Sequence, residues 1–126
     1  MSLQFYLVLA CAGGAGAVCR FTLGQFAMRV LDMPTPWPTM LVNCLGAFLI
    51  GVLAQGFTHR VSDSVELQFW LISGLLGGFT TFSAFSLETV LLIQSGHWSV
   101  ALMYVCLSVV LCVLMCMAGM QLVRFI

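Results

Sequence analysis

The stretch Gly74-Leu75-Leu76-Gly77-Gly78-Phe79-Thr80-Thr81-Phe82-Ser83-Ala84-Phe85-Ser86 lies in the middle of an apolar run that extends from Leu67 to Ile93. Roughly 20 apolar residues are enough to carry a helix across the hydrocarbon of a bilayer, so the run is long enough to span. Its centre, however, places a glycine pair and then a series of hydroxyl residues where helix should be strongest. Two readings are open. Either the backbone leaves the helix here, which at membrane depth is tolerated only when buried in protein or lining a polar cavity, and which frees carbonyls and N–H groups for an ion; or the helix packs through its glycines and the hydroxyls bond back to the preceding turn.

Outward from this stretch, three further apolar runs complete an all-α integral membrane reading with four transmembrane helices, the third broken near its middle. The expected spans are about 3–30, 37–57, 67–93 and 98–125, which form one transmembrane domain over residues 1–126. The connectors are sharply marked. Asp32-Met33-Pro34-Thr35-Pro36-Trp37-Pro38 cannot propagate a helix, because proline lacks the amide donor and restricts the residue before it. Ser62-Asp63-Ser64 and Ser95-Gly96-His97 mark the other two gaps.

Composition agrees. The chain has 126 residues, of which 62% are hydrophobic and only 6% charged, with a mean hydropathy of +1.13; a soluble domain carries about a quarter of its residues as charges. Lysine is absent, and Arg20, Arg29, Arg60 and Arg124 balance four acids, so there is no basic surface for nucleic acid. The first run lacks a charged leader region and is followed by further runs, the pattern of a retained span. With the N-terminus inside, Arg60 and Arg124 fall on the cytoplasmic side and Arg29 opposite, a slight bias that leaves the orientation open and allows dual topology. Cys11, Cys19, Cys44, Cys106, Cys112 and Cys116 all lie in apolar runs and read as small buried hydrophobes. Cys112 and Cys116, close in sequence, have no neighbouring His or carboxylate to complete a metal site.

Small residues four apart (Gly13 and Ala17, Ala47 and Gly51, Gly74 and Gly78) are placed for close helix contact. Four short spans enclose little volume, so a solute pathway calls for an assembly. Asn43, well inside the second span, needs polar partners there; its carboxamide offers two donors to an anion, or a hydrogen bond to another helix. Phe82 and Phe85 are three apart and flank Ser83, so in a helical segment they share a face with a hydroxyl nearby, and an aromatic ring presents a positive edge, though lipid or core packing predicts the same pair. Tyr104, Ser108 and Cys112 recur every four residues and form an inward stripe in the fourth span, serving either as a polar track or as a hydrogen-bonding seam. Arg20 and Glu88 are charges in or near apolar spans, each a functional candidate or a snorkelling side chain; Glu88 is placed to cap a half-helix or to face water. His59 and His97 fall in connectors. No catalytic cluster is evident, and the chain is not expected to be an enzyme.

Taken together, these residues resemble the Fluc (CrcB) family of bacterial fluoride channels. The resemblance covers nearly the whole chain. It is carried by Gly-Gly-Phe-Thr-Thr-Phe-Ser-Ala-Phe-Ser-Leu-Glu at 77–88, by Thr39 to Asn43, and by Gly13 to Arg20. It implies an antiparallel, dual-topology homodimer with two pores in the bacterial cytoplasmic (inner) membrane. It further implies that Phe82 and Phe85 present ring edges to fluoride, that Asn43 donates to it, and that Ser83, Tyr104 and Ser108 line the route; Thr39, Thr81, Glu88 and Arg20 join the candidate pathway. A central Na⁺ would be held by the Gly77 and Thr80 carbonyls of both subunits. Two positions depart from the family pattern. Ala84 stands where many relatives carry Thr, and Cys112 continues the stripe where some carry a hydroxyl.

Such a protein gives passive, electrically driven export of fluoride from the cytoplasm and reduces its toxicity. No Gly-x-x-x-x-Gly-Lys phosphate loop is present to energise transport. The rival of another class is a proton-coupled exporter of small multidrug type. That chemistry needs a membrane carboxylate, usually in the first span, where this chain has Arg20 and no acid.

Overall fold

A computed structural model describes residues 2–59 and 65–125. It contains four helical spans long and apolar enough to cross a membrane: Leu3–Arg29, Trp37–Thr58, Val65–Gln94 and Trp98–Arg124. The first is helix α1 (Leu3–Arg29) and the second α2 (Trp37–His59). The third comprises α3 (65–79) and α4 (Phe82–Gln94), and the fourth is α5 (Trp98–Arg124). Arg60, the Ser62-Asp63-Ser64 connector and the His59 side chain lie outside the described residues.

Each boundary has a local cause. Ser2 caps α1 by accepting the Phe5 N–H at 3.2 Å, which satisfies one of the amides a helix start leaves orphaned. After Arg29 the chain turns through Asp32, at φ 49°, and the Trp37 N–H bonds the Pro34 carbonyl to begin α2. At the end of α4, Gly96 adopts φ +81°, a conformation glycine enters without steric cost. The His97 and Gly96 amides then reach back to the carbonyls of Leu92 (2.9 Å) and Ile93 (3.0 Å), the bond pattern of a glycine-terminated helix end.

Inside α3, residues Phe69–Leu76 are wound as a π-helix, a feature with no counterpart in the sequence reading. π-Turns of this kind are rare and collect at functional positions.

The packing is dominated by two pairs of helices, α2 against α5 and α1 against α3. Glycine permits both. A Cβ on Gly119 would collide with the Phe48 carbonyl, and one on Gly51 with the Cys116 carbonyl. On the other side Gly16 meets Leu75 and Gly78 meets Gly13 in the same way. Backbones this close gain dispersion contacts that lipid cannot outcompete, and small residues are the means to reach them. Of the expected small-residue positions, Gly13, Gly51, Gly74 and Gly78 lie in such contacts; Gly16 and Gly119 are additional.

The cysteines require a correction. Cys11, Cys19 and Cys106 are exposed on the outer faces of their helices and the other three are half-buried, so none is the fully buried hydrophobe expected. An apolar run that faces lipid along much of its circumference has few buried positions to offer, and thiols are tolerated on either side.

At the centre of the third span, Thr80 (φ −85°, ψ 158°) and Thr81 (φ −149°, ψ 115°) are extended. The Asn43 carboxamide meets this gap edge-on: the Thr81 N–H donates to Asn43 Oδ1 at 2.8 Å, and Asn43 Nδ2 donates to the Thr81 carbonyl at 3.1 Å. A side chain thus stands in for a strand partner, and both backbone groups are satisfied. The Thr81 hydroxyl, meanwhile, accepts the Ala84 N–H at 3.2 Å and caps α4.

Three outcomes follow for stability in detergent. Gly119→Val separates α2 from α5 and lowers the unfolding midpoint, at a cost of about 1–3 kcal/mol, whereas Gly24→Ala, which meets open space, is neutral or gains up to about 1 kcal/mol. Asn43→Ala strands the Thr81 N–H and carbonyl at about 1–3 kcal/mol each; hydrogen exchange at the Thr81 amide accelerates, and unchanged protection there would contradict the pairing.

Candidate functional site

The break sets the site. With its extended backbone held by Asn43, α4 restarts at Phe82 and projects Phe82 and Phe85 from its first turn. Their ring centroids lie 5.4 Å apart, tilted by 38°. Phe85 in turn stacks 5.3 Å from Tyr104 of α5, and Tyr104 meets Trp37 edge-on at 6.1 Å. The result is a row of aromatic rings graded in exposure, from Phe82 at 78% to Tyr104 at 0%.

Beside this row is a cavity of about 350 Å³ lined by Asn43, Thr80, Thr81, Phe82, Phe85 and Ser108, with Cys112 at its edge. Ser108 is only 6% exposed, and its Oγ has no hydrogen-bond partner among the described residues. An orphaned hydroxyl in such a place has its donor free for whatever enters. Asn43 also has a donor in reserve: Nδ2 carries two N–H groups and the Thr81 carbonyl takes one. The residues that line this cavity thus include an amide, hydroxyls and two phenylalanines, groups whose N–H, O–H and ring edges are of the type that suits an anion.

On the other side of Thr81 is a smaller cavity, about 140 Å³, whose lining includes Arg20, Thr39, Thr81 and Glu88. Here Glu88 is bracketed by hydroxyls. Thr39 donates to Oε1 at 2.7 Å and Tyr104 donates to Oε2 at 2.8 Å, so one carboxyl ties α4 to both α2 and α5. Charge-assisted bonds of this type are the short, strong ones. Glu88 thus does not cap a half-helix; Thr81 performs that role. Arg20 donates from Nε to the Gly78 carbonyl at 3.2 Å, which fastens α1 to the last turn of α3 and turns the guanidinium toward the smaller cavity.

The hydroxyls of the break divide between the two readings open from sequence. Thr80 Oγ1 bonds back to the Leu76 carbonyl at 3.0 Å and Ser86 Oγ to that of Phe82 at 2.9 Å. Thr81 and Ser83 do otherwise, and their hydroxyls lie 3.2 Å from each other. Asn43 makes the interhelical bond and keeps a spare donor. Tyr104 and Ser108 turn inward, as their stripe predicts. Because the Thr81 N–H turns to Asn43, the Gly77 carbonyl four residues earlier loses its helical partner; among the described residues neither it nor the Thr80 carbonyl accepts a hydrogen bond.

Three contacts escape sequence reading: the two-hydroxyl bracket on Glu88, the Trp70 Nε1 bond to the Phe5 carbonyl at 3.3 Å, and the approach of the Cys44 and Cys112 sulfurs to 3.8 Å. Each joins residues far apart in the chain. The only sequence signal for them is that a polar or sulfur-bearing residue occurs in an apolar run.

Comparison with known proteins shows the family. The family described as "CrcB-like protein, Camphor Resistance (CrcB)" matches residues 7–120. The fluoride-specific ion channel FluC of Caulobacter vibrioides is 45% identical over 120 residues, 94% of either chain. That of Magnetococcus marinus is 44% identical over 118 residues, 94% of this chain and 96% of its own. A further relative of the same name, from Rhizobium etli strain CFN 42, is 42% identical over 118 residues, again 94% of either chain. A match over residues 7–120, with relatives at 42–45% identity over 94% of the chain, shows the family: the chain belongs to the CrcB family.

Proposed function

We propose that this chain is a fluoride-selective channel, not an enzyme, that lets fluoride leave the cytoplasm passively down its electrical gradient and so limits its toxicity. The observation that carries the reading is the cavity beside the break, whose lining brings together Ser108, with a buried and unpartnered hydroxyl, Asn43, with a spare amide donor, and Phe82 and Phe85. Donors without an acceptor suit an anion. Relatives at 42–45% identity bear the name fluoride-specific ion channel, and they identify which anion.

Fluoride is small and holds its water tightly, so a narrow route must replace that water with amide, hydroxyl and ring-edge donors. Asn43, Ser83, Ser108 and the edges of Phe82 and Phe85 supply those donors, with Tyr104 and Thr81 alongside. Arg20 raises the local anion concentration near the smaller cavity. Glu88, bridged by Thr39 and Tyr104, holds the hydroxyls of two helices in place. Chloride, being larger, needs the constriction to widen against glycine-tight packing. A proton-coupled exporter gains no support: the first span has no acid to carry protons.

The active form on this reading is an antiparallel homodimer in the bacterial inner membrane. Phe82 lines the cavity yet is 78% exposed in the single chain, and a second copy would cover it. The Gly77 and Thr80 carbonyls, without hydrogen-bond partners, are oxygen ligands of the type hard cations take; two from each subunit would hold the Na⁺ at the dimer interface.

The test is fluoride efflux from liposomes containing purified protein, followed with a fluoride electrode, with valinomycin releasing the potassium counter-current. Fluoride leaves quickly and chloride does not. Asn43→Asp slows fluoride efflux by roughly tenfold or more, as loss of a donor to a charged group worth about 1.5–3 kcal/mol requires, and Phe82→Ile, which removes the ring edge, also slows it, while the dimer persists on gel filtration. Normal efflux in both variants would remove these residues from the pathway, and absence of efflux from dimeric wild-type protein would remove the function.

A further inference from the structure

The two cysteines that approach each other in space are Cys44 and Cys112, not the sequence neighbours Cys112 and Cys116. Cys44 extends from α2 and Cys112 from α5, and their sulfurs lie 3.8 Å apart, with both thiols free and half-buried. That spacing has a chemical meaning. Two metal–sulfur bonds of about 2.3 Å that meet near the tetrahedral angle place their sulfurs about 3.8 Å apart.

The surroundings leave room for the rest of a coordination shell. Cys112 lines the 350 Å³ cavity, and so does Ser108, one turn earlier on the same face of α5. Ser108 is 94% buried by its 6% exposure, and its Oγ is without a partner. Cys112, though not Cys44, lines the cavity, so on its side a bound cation has a hydroxyl-bearing neighbour one turn away and a volume that can hold water.

We propose that Cys44 and Cys112 form a two-thiolate site for a thiophilic divalent d¹⁰ cation, of the zinc and cadmium class, which bridges α2 to α5 at the wall of the cavity. The reaction is a simple exchange. Two thiols release two protons to solvent, two metal–sulfur bonds form, and no electrons are transferred; the neutral dithiolate complex leaves no net charge in the apolar span. Soft thiolate ligands select such ions over magnesium or calcium. The site shares a cavity wall and the Ser108 hydroxyl with the proposed fluoride route, so its test reads metal binding alone, whatever the outcome for conduction.

The experiment titrates the purified full-length protein with Cd²⁺, in a background where Cys11, Cys19, Cys106 and Cys116 are replaced by Ala, following the ultraviolet absorption of the cadmium–thiolate bond. One Cd²⁺ per chain is expected, with both sulfurs then protected from maleimide. Cys44→Ala or Cys112→Ala, added singly, weakens binding by more than about 100-fold, beyond what loss of an outer-shell partner costs; Cys44→Ser and Cys112→Ser do the same in protein whose gel-filtration profile is unchanged. Equal Cd²⁺ binding with either cysteine removed, or no thiolate absorption in the background protein, would overturn the site.

Discussion

Hydrocarbon supplies no water to an exposed peptide group, and the pairing of the Asn43 carboxamide with the Thr81 backbone meets that constraint at the one place where a span leaves the helix. Its two bonds, 2.8 and 3.1 Å, remove a cost of several kcal/mol that an open break at membrane depth would carry. The rest of the site depends on it. With Thr81 extended, its hydroxyl is free to cap α4, Phe82 and Phe85 emerge from a new first turn, and the carbonyls of Gly77 and Thr80 are released from helical bonding. A continuous helix through 77–88 would direct those rings elsewhere and bury the carbonyls.

Around this pair, the structure is braced by short-range contacts of two kinds. Glycine brings α2 to α5 and α1 to α3 at backbone contact, and Glu88 fastens the restarted half-helix to α2 and α5 through Thr39 and Tyr104. Preorganisation is the common consequence. Donors held in place lose little freedom when an ion arrives, and a constriction that cannot relax discriminates by size as well as charge. On the proposed reading, this is why so small a protein accepts the most tightly hydrated of the halides.

Much of this was legible in the sequence, and for a physical reason: what composition and local pattern control appears in the fold. The runs at 3–30, 37–57, 67–93 and 98–125 lie within a few residues of the observed helices, because the Pro34 and Pro36 connector and the positive-φ Gly96 stop a helix where they fall. The weak point at Gly77 to Thr81 was visible as helix propensity. What stayed hidden depends on pairs. Asn43 announced that it needed a partner without naming Thr81; Glu88 gave no sign of its two hydroxyls; Gly16 and Gly119 looked no different from Gly14 and Gly24, which touch nothing. The π-helical stretch at Phe69–Leu76 lies where α3 packs on α1, and no local residue marks it. The cysteines misled because an apolar run in a membrane protein faces lipid as readily as it faces the core.

The most direct measurement of the central claim is the reversal potential of the purified protein in a planar bilayer, with a fluoride gradient set against an opposed chloride gradient. Selective, passive fluoride conduction predicts a current that reverses at the fluoride equilibrium potential and shifts by about 59 mV for each tenfold change in the fluoride gradient, that of a single charge. A reversal potential that follows chloride or the proton gradient would contradict it.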